Sequence, residues 1–159
     1  MAYVTFENFN GLYPDNATET EFNNLEWEAR RIIDAHTTGI DNVRKLRVAF
    51  PTDEQDAETV KRCMCKLIKL LHDIETAEKS RGLVKRGDGT VTSGVVSSVS
   101  SGAESISYAA DGGTALDAAV GNISARNKLL SQTVREMLSG TLDANGVNLL
   151  YMGRYPYVR

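Results

Sequence analysis

The stretch TDEQDAETVKRCMCKLIKLLHDI, residues 52–74, decides the fold class. Val60, Met64, Leu67, Leu71 and Ile74 recur at alternating steps of four and three, which puts them on one face of an α-helix. Pro51 ends whatever precedes it. Thr52 then opens the helix, Asp53 and Glu54 suit the positive end of its dipole, and Gln55 completes a capping box. The period fades at Lys79-Ser80-Arg81-Gly82, where basic residues and glycine suit a C-terminus. A helix of roughly 28 residues would span about 42 Å. Inside it, Cys63 and Cys65 point some 200° apart at about 100° per residue, so they can neither share a metal nor bond to each other. The pair reads as packing residues in a reducing compartment.

Outward from this helix the pattern stays helical. Upstream, Thr18-Glu19-Thr20-Glu21 has capping-box spacing, and Phe22, Leu25, Ala29 and Ile32 follow on one face until Gly39, read as the C-cap glycine. The N-terminal aromatic segment before it reads as extended. A short helix capped by Asp41 is expected over IDNVRKLRVAF, stopped by Pro51. Downstream of Gly112-Gly113, Leu116, Val120, Ile123, Leu130, Val134 and Met137 form a second stripe, with Asn127 as its polar position and Gly140 as its stop. That stripe is the natural partner of the one on residues 60–74.

Between the helices lies VTSGVVSSVSSGAESISYA, residues 91–109, where eight of nineteen residues are serine or threonine. Such a density disfavours helix. Val91, Val95 and Val99 share one parity, as do Ile106 and Tyr108, with Ser100-Ser101-Gly102 between them. Period-two patterning around a glycine turn predicts a β-hairpin, with a flexible loop as the alternative. The fold expectation is therefore mainly α: a small bundle of three main helices and a short one, forming a single domain over 1–159. A β-hairpin is inserted at 90–110, and an extended tail occupies 146–159.

Chemistry is conspicuous mainly by what the pattern lacks. The serines of 92–107 have no G-x-S-x-G setting, and the two histidines, His36 and His72, lie within helical patterns. There is no P-loop, G-x-G-x-x-G or H-E-x-x-H. Acidic pairs such as Asp53-Glu54 sit where helix capping accounts for them. Arg44, Lys45 and Arg47, like Arg81, Lys85 and Arg86, read as solvated or ion-paired faces rather than phosphate contacts. Catalysis, metals and cofactors are not expected. A composition of 42% hydrophobic and 25% charged residues fits a globular domain. The net charge of −3 offers no global field for duplex DNA or anionic lipid. No apolar run approaches the roughly 18 residues of a membrane span, and MAYVTFENFNG lacks the basic-then-apolar pattern of a secretory signal.

Three segments together resemble the head–tail connector proteins of tailed bacteriophages, also called adaptors or head-completion proteins. In VTSGVVSSVSSGAESISYA, Ser105, Ser107 and Tyr108 stand in the family's closing Ser-x-Ser-Tyr. In LSGTLDANGVNLLYMGR, Leu149, Leu150, Tyr151 and Gly153 match the family's ending, with Met152 where arginine is expected. FNNLEWEARRIIDAHTTG is similar to its first helix, with Ile32, Ile33, Asp34 and Thr37 in place. The resemblance implies a structural virion protein of the neck, made in the host cytoplasm. Its copies would form a ring, twelvefold in the virion and monomeric when free, beneath the portal. DNA would pass through the channel without sequence-specific binding, and no membrane is involved. The expected partners are the portal, a stopper or tail-completion protein, and sister subunits. Residues 147–157, with Leu149, Leu150, Tyr151, Met152, Gly153, Arg154, Tyr155 and Tyr157, carry the residue types of interface centres and are expected to dock on the portal. Packing of Leu149 and Leu150 on the bundle is the alternative. The hairpin residues Val95, Ser97, Val99, Ser101, Gly102, Ile106 and Tyr108 are expected to face the channel, a stopper or a neighbouring subunit. Competing readings are a stopper, a tail terminator or an assembly chaperone. About seventy residues in helical pattern weigh against the first two, which are mostly β.

Overall fold

The computed structural model describes residues 2–80 and 115–156, and between them the backbone of residues 83–85, 91–93, 98–101 and 104–107. Six helices stand among the described residues: α1 (Phe6–Leu12), α2 (Glu19–Thr37), α3 (Lys45–Val48), α4 (Glu54–Ser80), α5 (Ala115–Ala119) and α6 (Ile123–Met137). The protein is mainly helical, as the periodicity predicts. It divides into two compact units, Met1–His72 with Leu130–Arg159, and Asp73–Leu129.

In the first unit α2 begins where its capping box predicts. The Glu21 amide donates to Thr18 Oγ1 at 3.4 Å, and the Thr18 amide donates to a Glu21 carboxylate oxygen at 3.0 Å. Phe22, Leu25, Ala29 and Ile33 are buried, with Ile32 packed at the margin of the core.

Helix α1 is a correction, because the segment before α2 reads as extended in the sequence. Thr5 and Asn8 form a second capping box there: the Asn8 amide donates to Thr5 Oγ1 at 3.2 Å and the Thr5 amide to Asn8 Oδ1 at 3.3 Å. Asn at the third helical position replaces the usual Glu or Gln, with a shorter reach. The turn so fixed drives Phe9 into the core, its ring 5.6 Å from those of Phe22 and Tyr13.

Helix α4 is 27 residues long. Its cap is Asp53 rather than Thr52: Asp53 Oδ1 accepts from the amides of Gln55 and Asp56 at 2.9 and 3.0 Å. A carboxylate at this position accepts the orphan amides and also meets the positive end of the dipole. Val60, Met64, Leu67, Leu71 and Ile74 are all buried, as the stripe predicts. Cys63, Cys65 and Ile68 are buried as well, so α4 is enclosed on more than one side. Val60 to Leu71 share one core cluster with Leu130, Val134 and Leu138, so the C-terminal part of the second predicted stripe joins the first.

Burial pushes the Cys63 thiol up to about 12 and the Cys65 thiol to about 11, the latter helped by the negative charge of Glu58. Thiolate, not thiol, is the nucleophile. Alkylation by iodoacetamide near pH 8 is therefore expected to run about 100-fold slower on the native protein than on the urea-unfolded chain. Equal rates would show that the thiols are not enclosed.

The predicted continuous helix after residue 113 is broken. Gly121 has φ +74°, and Asn122 Oδ1 accepts from the Ala125 amide at 3.1 Å, which starts α6 afresh. The interruption turns Ile123 and Asn127 outward, so the middle of the expected stripe is exposed. Gly140, at φ +84°, lies just past α6 as predicted.

Within the second unit, Ile74 and Glu78 on the last turns of α4 and Ala119 and Val120 around α5 are buried. Its backbone carries strands β1 (Leu83–Lys85), β2 (Val91–Ser93), β3 (Ser98–Ser101) and β4 (Glu104–Ser107). β1 pairs antiparallel with β2, and β3 with β4, Val99 standing opposite Ile106. The single hairpin expected at 90–110 is thus not supported in the form predicted. Its first arm, Val91–Val99, is divided: Val91–Ser93 pairs backward with Leu83–Lys85. Ser100 and Ser101 belong to a strand rather than to the turn. Parity alone cannot choose between an upstream and a downstream partner, since both leave the same residues on one face. Val95, Ser97, Gly102, Tyr108 and Tyr157 lie outside the described residues.

Candidate docking surface

The sequence predicts an extended tail over 146–159. It is instead a strap tied down within the first unit. Leu142 and Asn148 form an antiparallel bridge. The Leu149 amide donates to the Thr141 carbonyl at 3.0 Å. The turn between them is built on Asp143, whose Oδ1 accepts from the amides of Asn145 and Val147, both at 2.9 Å. Gly146 takes φ +75° there, a conformation that costs other residues but not glycine.

Lys45 holds the backbone beyond that turn. The sequence reads it as part of a solvated or ion-paired basic cluster on a short helix capped by Asp41; the short helix is present, but the cap and the surface position of Lys45 are not. α3 is only four residues, its N-cap is Arg44 without a side-chain bond, and the Lys45 side chain is buried. Its Nζ donates to the carbonyls of Leu149 at 3.0 Å, Asn148 at 3.4 Å and Tyr151. It also lies 5.7 Å from the centre of the Tyr151 ring. Burial holds the ammonium below the ordinary lysine range, and the charges of Asp143 and Asp41 partly oppose that. Nothing local marks Lys45 off from Arg44 or Arg47. Its partners lie more than a hundred positions away, and only the fold brings them together.

Asp41 is freed for the same task. Its Oδ2 accepts from the Tyr155 amide at 2.6 Å and its Oδ1 from the Val43 amide at 3.3 Å, which holds its carboxyl below the usual range. The buried Tyr155 hydroxyl donates to Asp143 Oδ2 at 2.5 Å and accepts from Asn145 Nδ2 at 2.8 Å. Gly39 adds a close approach: a Cβ there would stand 2.5 Å from the Gly153 carbonyl oxygen. The role expected for it, a C-cap glycine, is replaced by room for the strap, with Thr38 as the cap residue.

This sorts the residues expected to dock. Leu149 and Tyr155 are buried in their own unit, and Leu150 is partly so, which agrees with the alternative of packing on the bundle. The side chains of Leu149 and Tyr155 are thereby committed to the interior of their own unit. Tyr151 and Met152 remain about half exposed, at 50% and 53%, and Arg154 is exposed. Ile40, to which the sequence assigns no role, joins them at 78% exposure, its amide donating to the Met152 carbonyl at 3.1 Å. An aliphatic residue between Gly39 and Asp41 was the available signal, though a turn residue need not be exposed.

A second network fixes α3 against α2. Tyr3 Oη donates to Asp34 Oδ1 at 2.6 Å, and Arg47 Nε to Asp34 Oδ2 at 3.0 Å. Arg47 is therefore ion-paired, as one of the readings of the basic cluster had it. Burial and the Asp34 carboxylate push the Tyr3 hydroxyl well above the tyrosine range. Among the described residues no group of three or more His, Cys, Asp or Glu could hold a metal ion. None of the described helices is long and apolar enough to cross a membrane. No family model, curated protein or solved structure matches the chain.

Proposed function

We propose that the chain is a head–tail connector of a tailed bacteriophage, a structural protein whose copies form a ring under the portal. The ring extends the DNA channel and offers the attachment platform for a stopper or tail protein, without substrate or cofactor. The reading rests on the sequence resemblance in the first helix, the serine-rich stretch and the Leu-Leu-Tyr-x-Gly ending. The observation that carries its docking step is the strap, which presents Tyr151, Met152 and Arg154 beside Ile40 on an internally braced support. Aromatic, methionine and arginine side chains are enriched at interface centres, and a braced segment loses little entropy on binding. Leu149, Leu150, Gly153 and Tyr155 serve as its foundation. The paired strands of 83–107 are the element offered to the channel, the stopper or a sister subunit, where unpaired strand edges can add hydrogen bonds.

The test uses the portal protein from the genome that carries this chain's gene, and a triple variant, Tyr151→Ser, Met152→Ser and Arg154→Ser. Deleting the whole strap would open the core and confuse folding with binding. The expected result is at least about a tenfold loss of portal affinity, a typical cost for truncating interface-centre residues, with thermal stability nearly unchanged. Undiminished binding by the variant would sink the docking surface. Failure of the unaltered protein to bind the portal would sink the connector reading itself.

A further inference from the structure

The first unit carries a groove that the strap surface does not use. Its volume is about 520 Å³, and it is lined from α2 by Arg31, Asp34, Ala35 and Thr38, then by Gly39, Asn42, Arg44 and Arg47. Its far wall is shaped by a tight loop. Thr38 and Arg44 form an antiparallel bridge, the Asn42 amide donates to the Gly39 carbonyl at 3.0 Å, and Asn42 sits at φ +58°. Asparagine tolerates that conformation better than most residues. The loop thereby turns Arg44 back toward the helix that bears Arg31.

The lining holds three guanidinium groups against one carboxylate, and that carboxylate is already engaged. Asp34 accepts from Arg47 Nε and from Tyr3 Oη. Arg31 and Arg44 are exposed. Arg31 is also oriented, its guanidinium carbon lying 4.9 Å from the centre of the Trp27 ring one helical turn earlier. Stacking of this kind fixes the plane of the fork while leaving its N–H groups to bind. Trp27 is itself 54% exposed, an unusual position for the only tryptophan in the chain. Ile40 rises from the loop between two lining residues and is the most exposed of the large apolar side chains described. The groove is thus predominantly basic, with the exposed side chains of Trp27 and Ile40 near it.

We propose that this groove binds the carboxylate side chains of an acidic segment on a protein partner, with Arg31 and Arg44 reading the carboxylates and Trp27 packing against a neighbouring apolar residue. A planar guanidinium matches a carboxylate through two parallel hydrogen bonds. Tryptophan and arginine are the residue types that dominate protein-interface energies. Phosphates of a nucleic acid would satisfy the same forks, but a polyanion must leave the groove across a chain of net charge −3, whereas a short acidic segment need not. The residues assigned to binding here, Arg31, Arg44 and Trp27, differ from Tyr151, Met152 and Arg154 of the strap, while Ile40 borders both surfaces, and the inference stands without the connector reading.

A fluorescein-labelled octapeptide that alternates Asp-Glu pairs with leucine and phenylalanine is a suitable probe, read by fluorescence anisotropy at physiological salt. Its Asn-Gln counterpart and a short thymidine oligonucleotide of equal charge serve as comparisons. The double variant Arg31→Gln, Arg44→Gln is expected to bind the acidic peptide at least about tenfold more weakly. A charge-matched control, Lys66→Gln with Lys128→Gln, alters two exposed lysines outside the groove and is expected to bind as the unaltered protein does. Circular dichroism and melting temperature of both variants separate loss of the site from loss of the fold. The proposal is overturned if the acidic peptide does not bind, if its amide counterpart binds equally, or if the oligonucleotide binds more tightly. It is also overturned if the groove variant and the control weaken binding alike.

Discussion

Lys45→Met is expected to destabilise the protein by about 2–4 kcal/mol and to loosen the strap before the rest of the unit. The substitution keeps most of the side-chain length and removes the ammonium. Two opposing terms decide the outcome. Removing a buried charge recovers several kcal/mol of desolvation. Against that, the carbonyls of Asn148, Leu149 and Tyr151 lose their shared donor, at about 1–3 kcal/mol for each that stays buried without a partner. Three acceptors on one donor tip the balance toward loss. Urea unfolding gives the magnitude, and hydrogen exchange gives the location. The amides of Ile40, Leu149 and Tyr155, which donate to Met152, Thr141 and Asp41, should lose protection first. Unchanged stability with full protection of those amides would show that the strap does not depend on the lysine. The result also bears on function, because Tyr151 and Met152 can form a defined surface only while the backbone beneath them is held.

The largest single loss should come from Phe9→Ala, at about 3–5 kcal/mol. Phe9 is fully buried, and its ring meets those of Phe22 and Tyr13 at 5.6 Å. The variant leaves a cavity that α1 cannot close by shifting, because its capping box fixes where the helix starts. Seven residues are also far too few to stay helical without tertiary support. α1 should therefore detach when its anchor goes, and the exchange protection of its amides should vanish along with the lost stability. Phe6, only partly buried and edge-on to Phe22, is the internal comparison, and its replacement by alanine should cost clearly less. A Phe9→Ala loss below about 1 kcal/mol would mean that α1 is not part of the cooperative core.

The elements legible beforehand were those whose physics is local. α2 and α4 show their apolar faces within a few turns, and the Thr18 capping box closes within four residues. α1 escaped the sequence reading, because asparagine at the third position marks a capping box less clearly than glutamate and seven residues carry too little period to show a face. The break before α6 had its glycine and its asparagine in plain view at 121 and 122. An apolar stripe that runs through such a pair reads as continuous, because periodicity takes no account of backbone angle. The serine-rich stretch shows the same limit from the other side, where alternation marks strand character without choosing a partner.

The candidate docking surface was half legible. Composition marked the ending as apolar, aromatic and basic. It did not separate Leu149 and Tyr155, which are buried, from Tyr151 and Met152, which are exposed. That separation depends on Lys45 and Asp41, which reach the strap from more than a hundred positions away. The sequence by itself determined a mainly helical protein, the positions of α2 and α4, and the entry of Leu130 and Val134 into the core that α4 builds. Periodicity and caps act over a few residues, so they are written along the chain. Only the tertiary structure decided that the ending is a strap, that a lysine is its buried anchor, and that Arg31, Arg44 and Arg47 line one groove. Those outcomes turn on which distant carbonyls and charges meet once water is excluded, and no local pattern encodes that.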